Sequence, residues 1–146
     1  QVNEFNKLVE KNGIRGKVVL TGYVEPELVP ELLENAELLV LSRDNSLRAE
    51  AGFPTKLGEY LATGKPVVTT NVGDIPLYIK NEMNGYLVKP GDIQEFANTV
   101  IKVLENPDKA KAVGFAGREL AEKLFDSKVQ SLELEKFHKK VLKVDF

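Results

Sequence analysis

The sequence contains no cysteine and only one histidine, His138. The lack of cysteine excludes disulfide bonds, thiolate chemistry and zinc sites built on cysteine. A single histidine excludes metal sites that need two, and its place in a C-terminal helical segment does not suit a Ser-His-Asp triad. A glycine-rich phosphate loop and an Asp-x-Asp pair are also absent, so we expect no bound metal and no resident cofactor. No hydrophobic run is long enough to cross a bilayer.

An excess of charge of one sign is missing as well. Twenty Lys and Arg residues stand against 22 Asp and Glu residues, which gives a net charge of −2. This balance provides no electrostatic attraction for nucleic acid, which is therefore not an expected partner. The chain has 146 residues, 42% of them hydrophobic and 29% charged, and these values predict one ordinary globular domain over residues 1–146.

Short apolar runs alternate with helical patterns along the chain. The runs end at glycines, polar loops or turn signals, which is typical of strands. Strands of this kind, separated by helices, predict an α/β domain with a parallel sheet. We predict strands at residues 17–21, 37–41, 66–70 and 86–88, and helices at residues 1–12, 26–36, 54–63, 75–80, 93–105, 107–124 and from 126 onward.

Local signals identify several helix starts. Asp74 and Asp92 each follow a glycine and begin a helix, so we interpret both as N-caps, and Asp126 is the predicted cap of the last helix. Glu95, three residues after Asp92, completes a capping box. Residues 42–53 are polar and show no period, which predicts a loop.

Ligands of parallel α/β sheets bind at the carboxyl ends of the strands. Gly52 lies in such a position and precedes a helix whose first amide groups are free to bind an anion. Thr55 and Lys56 add a hydroxyl and an ammonium group in the first turn, and Glu59 lies on the same helix face. This arrangement suits a nucleotide, with phosphate at the helix start and ribose hydroxyls on the carboxylate. The alternative is an ordinary Lys56–Glu59 ion pair on a solvated helix.

Two arginines of the predicted loop, Arg43 and Arg48, also allow two interpretations. Each could reach a phosphate group of such a ligand. The simpler interpretation, which we adopt, is that both are solvated, because loops at strand ends lie at the surface.

The segment from Gly52 to Thr70, GFPTKLGEYLATGKPVVTT, resembles the signature region of the retaining GT-B glycosyltransferases of family 4. Other segments resemble the strands and loops of that family in the same order, namely residues 17–24, 36–42, 71–76, 84–88 and 90–92. The resemblance implies a Rossmann-like parallel sheet with flanking helices, as in the C-terminal, donor-binding domain of a GT-B enzyme. Two further strands come first in that family, so the resemblance implies part of such a domain without its first two strands.

The resemblance also implies roles for single residues. Glu59 matches the second of two glutamates eight positions apart, which would bind the ribose hydroxyls of a nucleotide-sugar donor. The first glutamate falls on Ala51, and whether the neighbouring Glu50 replaces it beside the donor sugar stays open. The other implied donor contacts are Thr55 and Lys56 with the diphosphate, Gly52 and Phe53 with the sugar through backbone groups, and Gly22, Tyr23 and Val24 with the base.

The implied function is transfer of a sugar, with retention at the anomeric carbon, from a nucleotide-diphosphate sugar to an acceptor glycan or lipid-linked sugar. None of the implied contacts is a general base, so no catalytic residue is assigned. The alternative, favoured by Ala51, is a non-catalytic α/β module that binds a nucleotide or a partner.

The chain opens at Gln1 inside a helical pattern, which leads us to expect a piece of a longer protein. That protein is expected to be cytoplasmic, peripheral at a membrane, and to bind its acceptor through an N-terminal domain. The first two strands of the family lie in the centre of the sheet. Their absence would leave unpaired strand edges between residues 17–21 and 37–41, which predicts that the piece self-associates.

Overall fold

The computed structural model describes residues 2–142 and contains a three-stranded parallel sheet. Its strands are β1 (Leu39–Leu41), β2 (Val67–Thr70) and β3 (Tyr86–Val88), and β2 lies in the centre. Leu39 is in register with Val67, and Val68 with Tyr86. The predicted α/β fold with a parallel sheet is thus confirmed, and three of the four predicted strands are formed.

Helices cover both faces of this sheet. The predicted helix at 1–12 is present from Val2, and Gln1 lies outside the described residues. A 3-10 turn at Arg15–Lys17 follows it, and a second at Pro26–Leu28 leads into the predicted helix at 26–36. The helices are α1 (Val2–Lys11), α2 (Val29–Glu34), α3 (Leu47–Glu50), α4 (Thr55–Ala62), α5 (Ile75–Tyr78), α6 (Ile93–Glu105), α7 (Pro107–Leu124) and α8 (Ser127–Leu142).

The core lies on the two sides of β2, whose four residues are all buried. On one side Leu57 and Leu61 of α4 pack with Val67 of the strand. On the other side Val68 packs with Val103 of α6. Both faces of β2 are covered, so its polar side chains must find partners inside the protein. The hydroxyls of the buried Thr69 and Thr70 do so by donating to the carbonyl oxygens of Leu41 and Arg43.

Helix α7 approaches the rest of the molecule closely at two glycines. A Cβ atom at Gly114 would lie 2.3 Å from the carbonyl oxygen of Gly64, and one at Gly117 would lie 2.8 Å from that of Asn84. Gly64 follows α4 with a φ of 74°, the left-handed conformation that suits glycine after a helix. The two glycines of α7 therefore determine how closely α7 packs on the end of α4 and on the turn before β3.

The turn before β3 is tied to α6 and α7 by ion pairs. Lys102 of α6 and Lys109 of α7 both donate hydrogen bonds to the carboxylate of Glu82. These bonds, with that from Lys102 the larger cause, lower the pKa of Glu82 from the ordinary 4.5 to about 2. Glu82 itself has a φ of 61°, an uncommon conformation outside glycine, so the two lysines hold a strained turn in place.

The prediction of a strand at residues 17–21 is wrong. After the 3-10 turn Arg15–Lys17, the chain runs on without pairing to any strand, and Val19 and Leu20 are 85% and 50% exposed. A β-branched run becomes a strand only where a neighbouring strand supplies hydrogen bonds, and none lies beside this segment in residues 2–142. The failure is one of missing partners rather than of local preference.

Of the three predicted N-caps, two are formed and one is not. The Asp92 carboxylate accepts from the Glu95 amide at 2.8 Å, and that of Asp126 accepts from the Lys128 amide at 2.7 Å, so both caps are confirmed. The predicted capping box is not completed, because the Glu95 carboxylate accepts from the Lys89 amide at 2.9 Å, whereas the Asp92 amide donates to the Lys89 carbonyl oxygen. Asp74 makes no side-chain cap bond, and that prediction is wrong.

The predicted loop at residues 42–53 contains the short helix α3. Ser46 is its N-cap, and the Ser46 hydroxyl accepts from the amide of Ala49 at 3.3 Å. The Asp44 carboxylate in turn accepts from the Ser46 hydroxyl at 2.6 Å. A single helical turn is too short to show a period, which is why the pattern predicted a loop.

Candidate functional site

The carboxyl ends of β1 and β2 are joined by side-chain hydrogen bonds. Thr69 donates its hydroxyl to the Leu41 carbonyl at 2.9 Å, and Thr70 donates to the Arg43 carbonyl at 3.0 Å. The two segments that leave these strands, residues 42–54 and 71–74, therefore lie together at one edge of the sheet. In parallel sheets this edge is where ligands bind.

The start of α4 at this edge carries unpaired backbone donors. Pro54 is the N-cap and supplies no side-chain cap, and the amides of Thr55 and Lys56 have no acceptor within residues 2–142. Both side chains are exposed. Free amides together with the positive end of the helix dipole are groups that can bind an anion, and the binding itself stays a prediction.

Glu59 lies one turn further along α4 and is also exposed. Among the described residues it pairs with no cation, and neither does Lys56 form an ion pair. The Lys56–Glu59 surface pair that the spacing also allows is thus not formed. Both charges remain available to a ligand.

Glu59 and Val24 line the same cavity of about 550 Å³. Val24 is half-buried, whereas Gly22 and Tyr23 are exposed and do not line the cavity. The structure therefore brings one of the three implied base contacts next to the implied ribose contact. The remaining walls come from the turn before α2, from α2 itself and from the end of α4, namely Pro26, Val29, Pro30, Leu33, Glu34, Ala62 and Thr63.

The ring of Phe53 belongs to an aromatic cluster that the sequence did not predict. Its centroid lies 5.2 Å from that of Tyr78 and 5.4 Å from that of Phe125, and the Tyr78 and Phe125 centroids are 5.5 Å apart. The ring is thus used in packing, which leaves the backbone groups of Phe53 for a ligand. The cluster lines a second cavity of about 750 Å³, which also reaches Thr55 and Glu59.

Glu50 is engaged within the protein. Its carboxylate accepts a hydrogen bond from the Gly73 amide at 3.1 Å. Gly73 has a φ of 56°, and a Cβ atom there would lie 2.8 Å from the Glu50 carbonyl oxygen, so only glycine permits this close approach. Glu50 therefore connects the end of α3 to the turn after β2, beside the exposed Ala51.

The interpretation of Arg43 as a solvated side chain is wrong, whereas Arg48 is exposed as expected. Arg43 is half-buried, and its Nη1 donates to the carbonyl oxygen of Gly52. The signal that could have found it is its position two residues after β1, where the chain is still bonded to β2 through Thr70. The charge alone gave no such indication.

In the part of the chain that the structure describes, no three His, Asp or Glu side chains lie close enough to hold a metal ion together. None of the described helices combines the length and the apolar character needed to cross a membrane.

A parallel α/β sheet flanked by helices defines a Rossmann-like protein, and the free helix amides and the unpaired carboxylate mark its carboxyl edge as the candidate ligand site. Comparison with known families identifies it further. The family model described as "Glycosyl transferases group 1" matches residues 1–120, and the chain belongs to that family.

Two curated relatives match most of this chain. The chain is 30% identical over 139 residues to N-acetyl-alpha-D-glucosaminyl L-malate synthase of Bacillus anthracis, a match that covers 95% of this chain and 35% of that protein. It is 28% identical over 105 residues to Alpha-D-kanosaminyltransferase of Streptomyces kanamyceticus, covering 72% of this chain and 26% of the relative. The chain therefore spans about a third or less of these relatives.

Solved structures confirm the fold. The chain matches Anabaena HepE, solved in complex with UDP-glucose, with a TM-score of 0.82 and 23% identity over 94% of this chain and 36% of that one. It matches a glycosyltransferase from Rickettsia africae ESF-5 with a TM-score of 0.84 and 18% identity, over 99% and 37% of the two chains. The predicted Rossmann-like fold of a GT-B glycosyltransferase domain is confirmed.

Proposed function

We propose that this chain is the donor-binding part of a glycosyltransferase and holds a nucleotide-diphosphate sugar at the carboxyl edge of the sheet. The observation that carries the proposal is that α4 has two sets of free groups one turn apart. Among the described residues, the backbone amides at its start have no acceptor, and Glu59 forms no ion pair. A diphosphate bound at these amides leaves the ribose of the same nucleotide to Glu59, whose carboxylate can accept from two hydroxyl groups. That HepE was solved with UDP-glucose supports the same class of ligand.

In this proposal the ribose and base occupy the cavity shared by Glu59 and Val24. The Glu59 carboxylate accepts hydrogen bonds from the two ribose hydroxyls, as acidic residues do in dinucleotide folds. The base lies along Gly22, Tyr23 and Val24 and contacts mainly their backbone. The exposure of Gly22 and Tyr23 leaves that backbone accessible.

The diphosphate lies at the start of α4, where Thr55, Lys56 and the helix amides receive it. Negative charge grows on the diphosphate as the bond to the sugar breaks, and preorganised donors stabilise it there. We assign transfer with retention and no general base on this chain. The acceptor, a glycan or lipid-linked sugar, binds to a domain outside this chain.

A second candidate function is nucleotide binding without transfer. Ala51 stands where the implied first glutamate would be, and Glu50 uses its carboxylate on the Gly73 amide. If no carboxylate reaches the donor sugar, the site retains nucleotide affinity alone. The two candidates differ in whether the sugar of a nucleotide sugar adds to its affinity.

Both candidate functions require that the protein binds a nucleotide, which a thermal-shift experiment tests. UDP, GDP and ADP are added separately to the protein at rising concentration. A ligand present at 100 times its Kd stabilises the folded state by about 2.7 kcal/mol, which raises Tm clearly. If none of the three nucleotides raises Tm, the proposal is contradicted.

We also propose that the isolated chain self-associates through the open edge of β1. Val40 on that strand is 48% exposed, and no strand pairs with its outer edge within residues 2–142. Unpaired strand edges recruit further strands, here from a second copy. Sedimentation velocity should show dimers or larger species, and a compact monomer that binds no hydrophobic dye would contradict this.

A further inference from the structure

Arg43 is fixed to the centre of the sheet through its backbone. Its amide donates to the hydroxyl oxygen of Thr70 at 3.0 Å, and the same hydroxyl donates to the Arg43 carbonyl at 3.0 Å. Thr70 is the last residue of β2 and only 2% exposed. The side chain of Arg43 thus starts from a backbone that two hydrogen bonds attach to a buried strand end.

The guanidinium of Arg43 determines the direction of one peptide plane. Its Nη1 donates to the Gly52 carbonyl oxygen. In a planar trans peptide the carbonyl and the following amide point in opposite directions. The Phe53 amide therefore points away from Arg43, and it has no acceptor within residues 2–142.

A second contact holds the same peptide from its other end. The ring of Phe53 is packed between those of Tyr78 and Phe125, with centroids 5.2 and 5.4 Å away. A glycine peptide would otherwise rotate easily, because Gly52 has no side chain to restrict it. The arginine on one side and the aromatic cluster on the other leave the Phe53 amide with one orientation.

We propose that Arg43 is a positioning residue that directs the Phe53 amide at a hydroxyl group of the donor sugar. This inference rests on the proposed function and adds to it a residue that does not contact the donor. Because the nucleotide is bound by Glu59 and the start of α4, Arg43 affects only the part of the affinity that comes from the sugar.

The test compares nucleotides with their sugar esters in the full-length protein that contains this chain. Kd is measured by calorimetry for UDP and UDP-glucose, GDP and GDP-mannose, and ADP and ADP-glucose, and the pair that binds most tightly is used. Arg43→Met keeps the apolar stem and removes the donor. We expect Kd for the nucleotide to stay within about twofold and Kd for the nucleotide sugar to rise about fivefold, the effect of one hydrogen bond.

Two further variants separate positioning from other roles. Arg48→Met, an exposed neighbour with the same loss of charge, should change neither Kd. Arg43→Lys, which can still donate one hydrogen bond to the Gly52 carbonyl, should restore part of the sugar-dependent affinity. A merely structural role for Arg43, or a direct contact with the diphosphate, would raise both Kd values equally.

Equal weakening of nucleotide and nucleotide sugar, or no change in either, would overturn the role of Arg43 and leave the proposed function in place. A wild-type protein that binds none of the six compounds would overturn the proposed function, and the role of Arg43 with it. The binding of the nucleotide to the wild type thus distinguishes the two failures.

Discussion

The residues before β1 and those from β1 to the end of α7 differ in how they are packed. In the first region, residues 2–38, Val9 is the only buried residue. In the second, residues 39–124, buried side chains occur in every strand and in α3 to α7. Both regions contain apolar runs, so the difference does not come from composition.

The difference shows that an apolar run needs a neighbour to become part of a core. Val67 and Val68 of β2 lie between two strands and two layers of helices. Val19 and Leu20 have a similar local sequence and remain exposed, because no strand lies beside them among the described residues. The candidate site joins the two regions. Glu59 belongs to residues 39–124, the packed region, and Val24 belongs to residues 2–38, the open region.

The largest expected effect on stability is a contrast between two leucine-to-alanine variants, one from each region. Leu61 is 1% exposed and Leu20 is 50% exposed. Leu61→Ala should lower the free energy of unfolding by about 3 kcal/mol, because it leaves a cavity between α4 and the sheet. Leu20→Ala should change it by less than about 0.5 kcal/mol. Urea unfolding of both variants measures this, and similar losses would show that the open region is packed after all.

Glycine substitutions sharpen the same comparison. Gly114→Ala should cost about 2 kcal/mol, because its Cβ atom would lie 2.3 Å from the backbone oxygen of Gly64. Gly16 has no atom within 4 Å of an added Cβ, so Gly16→Ala should be neutral within about 0.5 kcal/mol. Thermal unfolding compares the two, and a neutral Gly114→Ala would contradict the close approach of α7.

Lys56→Ala tests whether a residue of the packed region contributes to the rate of sugar transfer. In the full-length protein, turnover at saturating donor should fall at least about tenfold, while donor affinity falls less, because the α4 amides still bind the ground state. Lys56→Arg should not fully restore turnover, because its planar charge does not replace a compact ammonium group.

Lys123→Ala is the matched control, an exposed lysine of α7 that should leave turnover unchanged. A Lys56→Ala turnover within about threefold of the wild type, roughly 0.65 kcal/mol of barrier, would show that Lys56 is a solvated surface charge.

The smallest effect concerns Glu82, which holds the turn before β3 to two helices. Glu82→Gln should cost about 1 kcal/mol at pH 7, a modest value because the Glu82 side chain is 32% exposed. Since the pKa is lowered in the folded state, the stabilisation is complete above the ordinary value of 4.5 and is lost as the pH falls towards about 2.

Unfolding curves of the wild type and Glu82→Gln at several pH values measure this difference. The two proteins should converge in stability between about pH 5 and pH 2. A difference that stays constant over this range would show that the ion pairs with Lys102 and Lys109 contribute nothing to it.

The elements that local signals determine could be predicted from the sequence. The cap bonds of Asp92 and Asp126 depend only on neighbours along the chain. The strand at 17–21 depends on partners that are distant in sequence, and its prediction failed for that reason. The helix α3 was missed because one turn shows no period.

The same distinction applies to the candidate site. The start of α4 and Glu59 were predicted because helix spacing places them on one face. The contact of Arg43 with Gly52 and the packing of Phe53 against Phe125 join residues from different elements, so the sequence could not predict them. Whether these residues bind a donor stays a prediction.

Calorimetry of Glu59→Gln tests the central claim that the carboxyl edge of the sheet binds a nucleotide sugar. The variant keeps the shape of the side chain and removes the charge, and Glu119→Gln on the exposed face of α7 is the control. We predict that Glu59→Gln raises Kd for the preferred nucleoside diphosphate at least about tenfold, since a charged acceptor contributes about 1.5–3 kcal/mol per hydrogen bond, while Glu119→Gln has no effect. A Kd for Glu59→Gln within about twofold of the wild type would exclude Glu59 from the site and contradict the account.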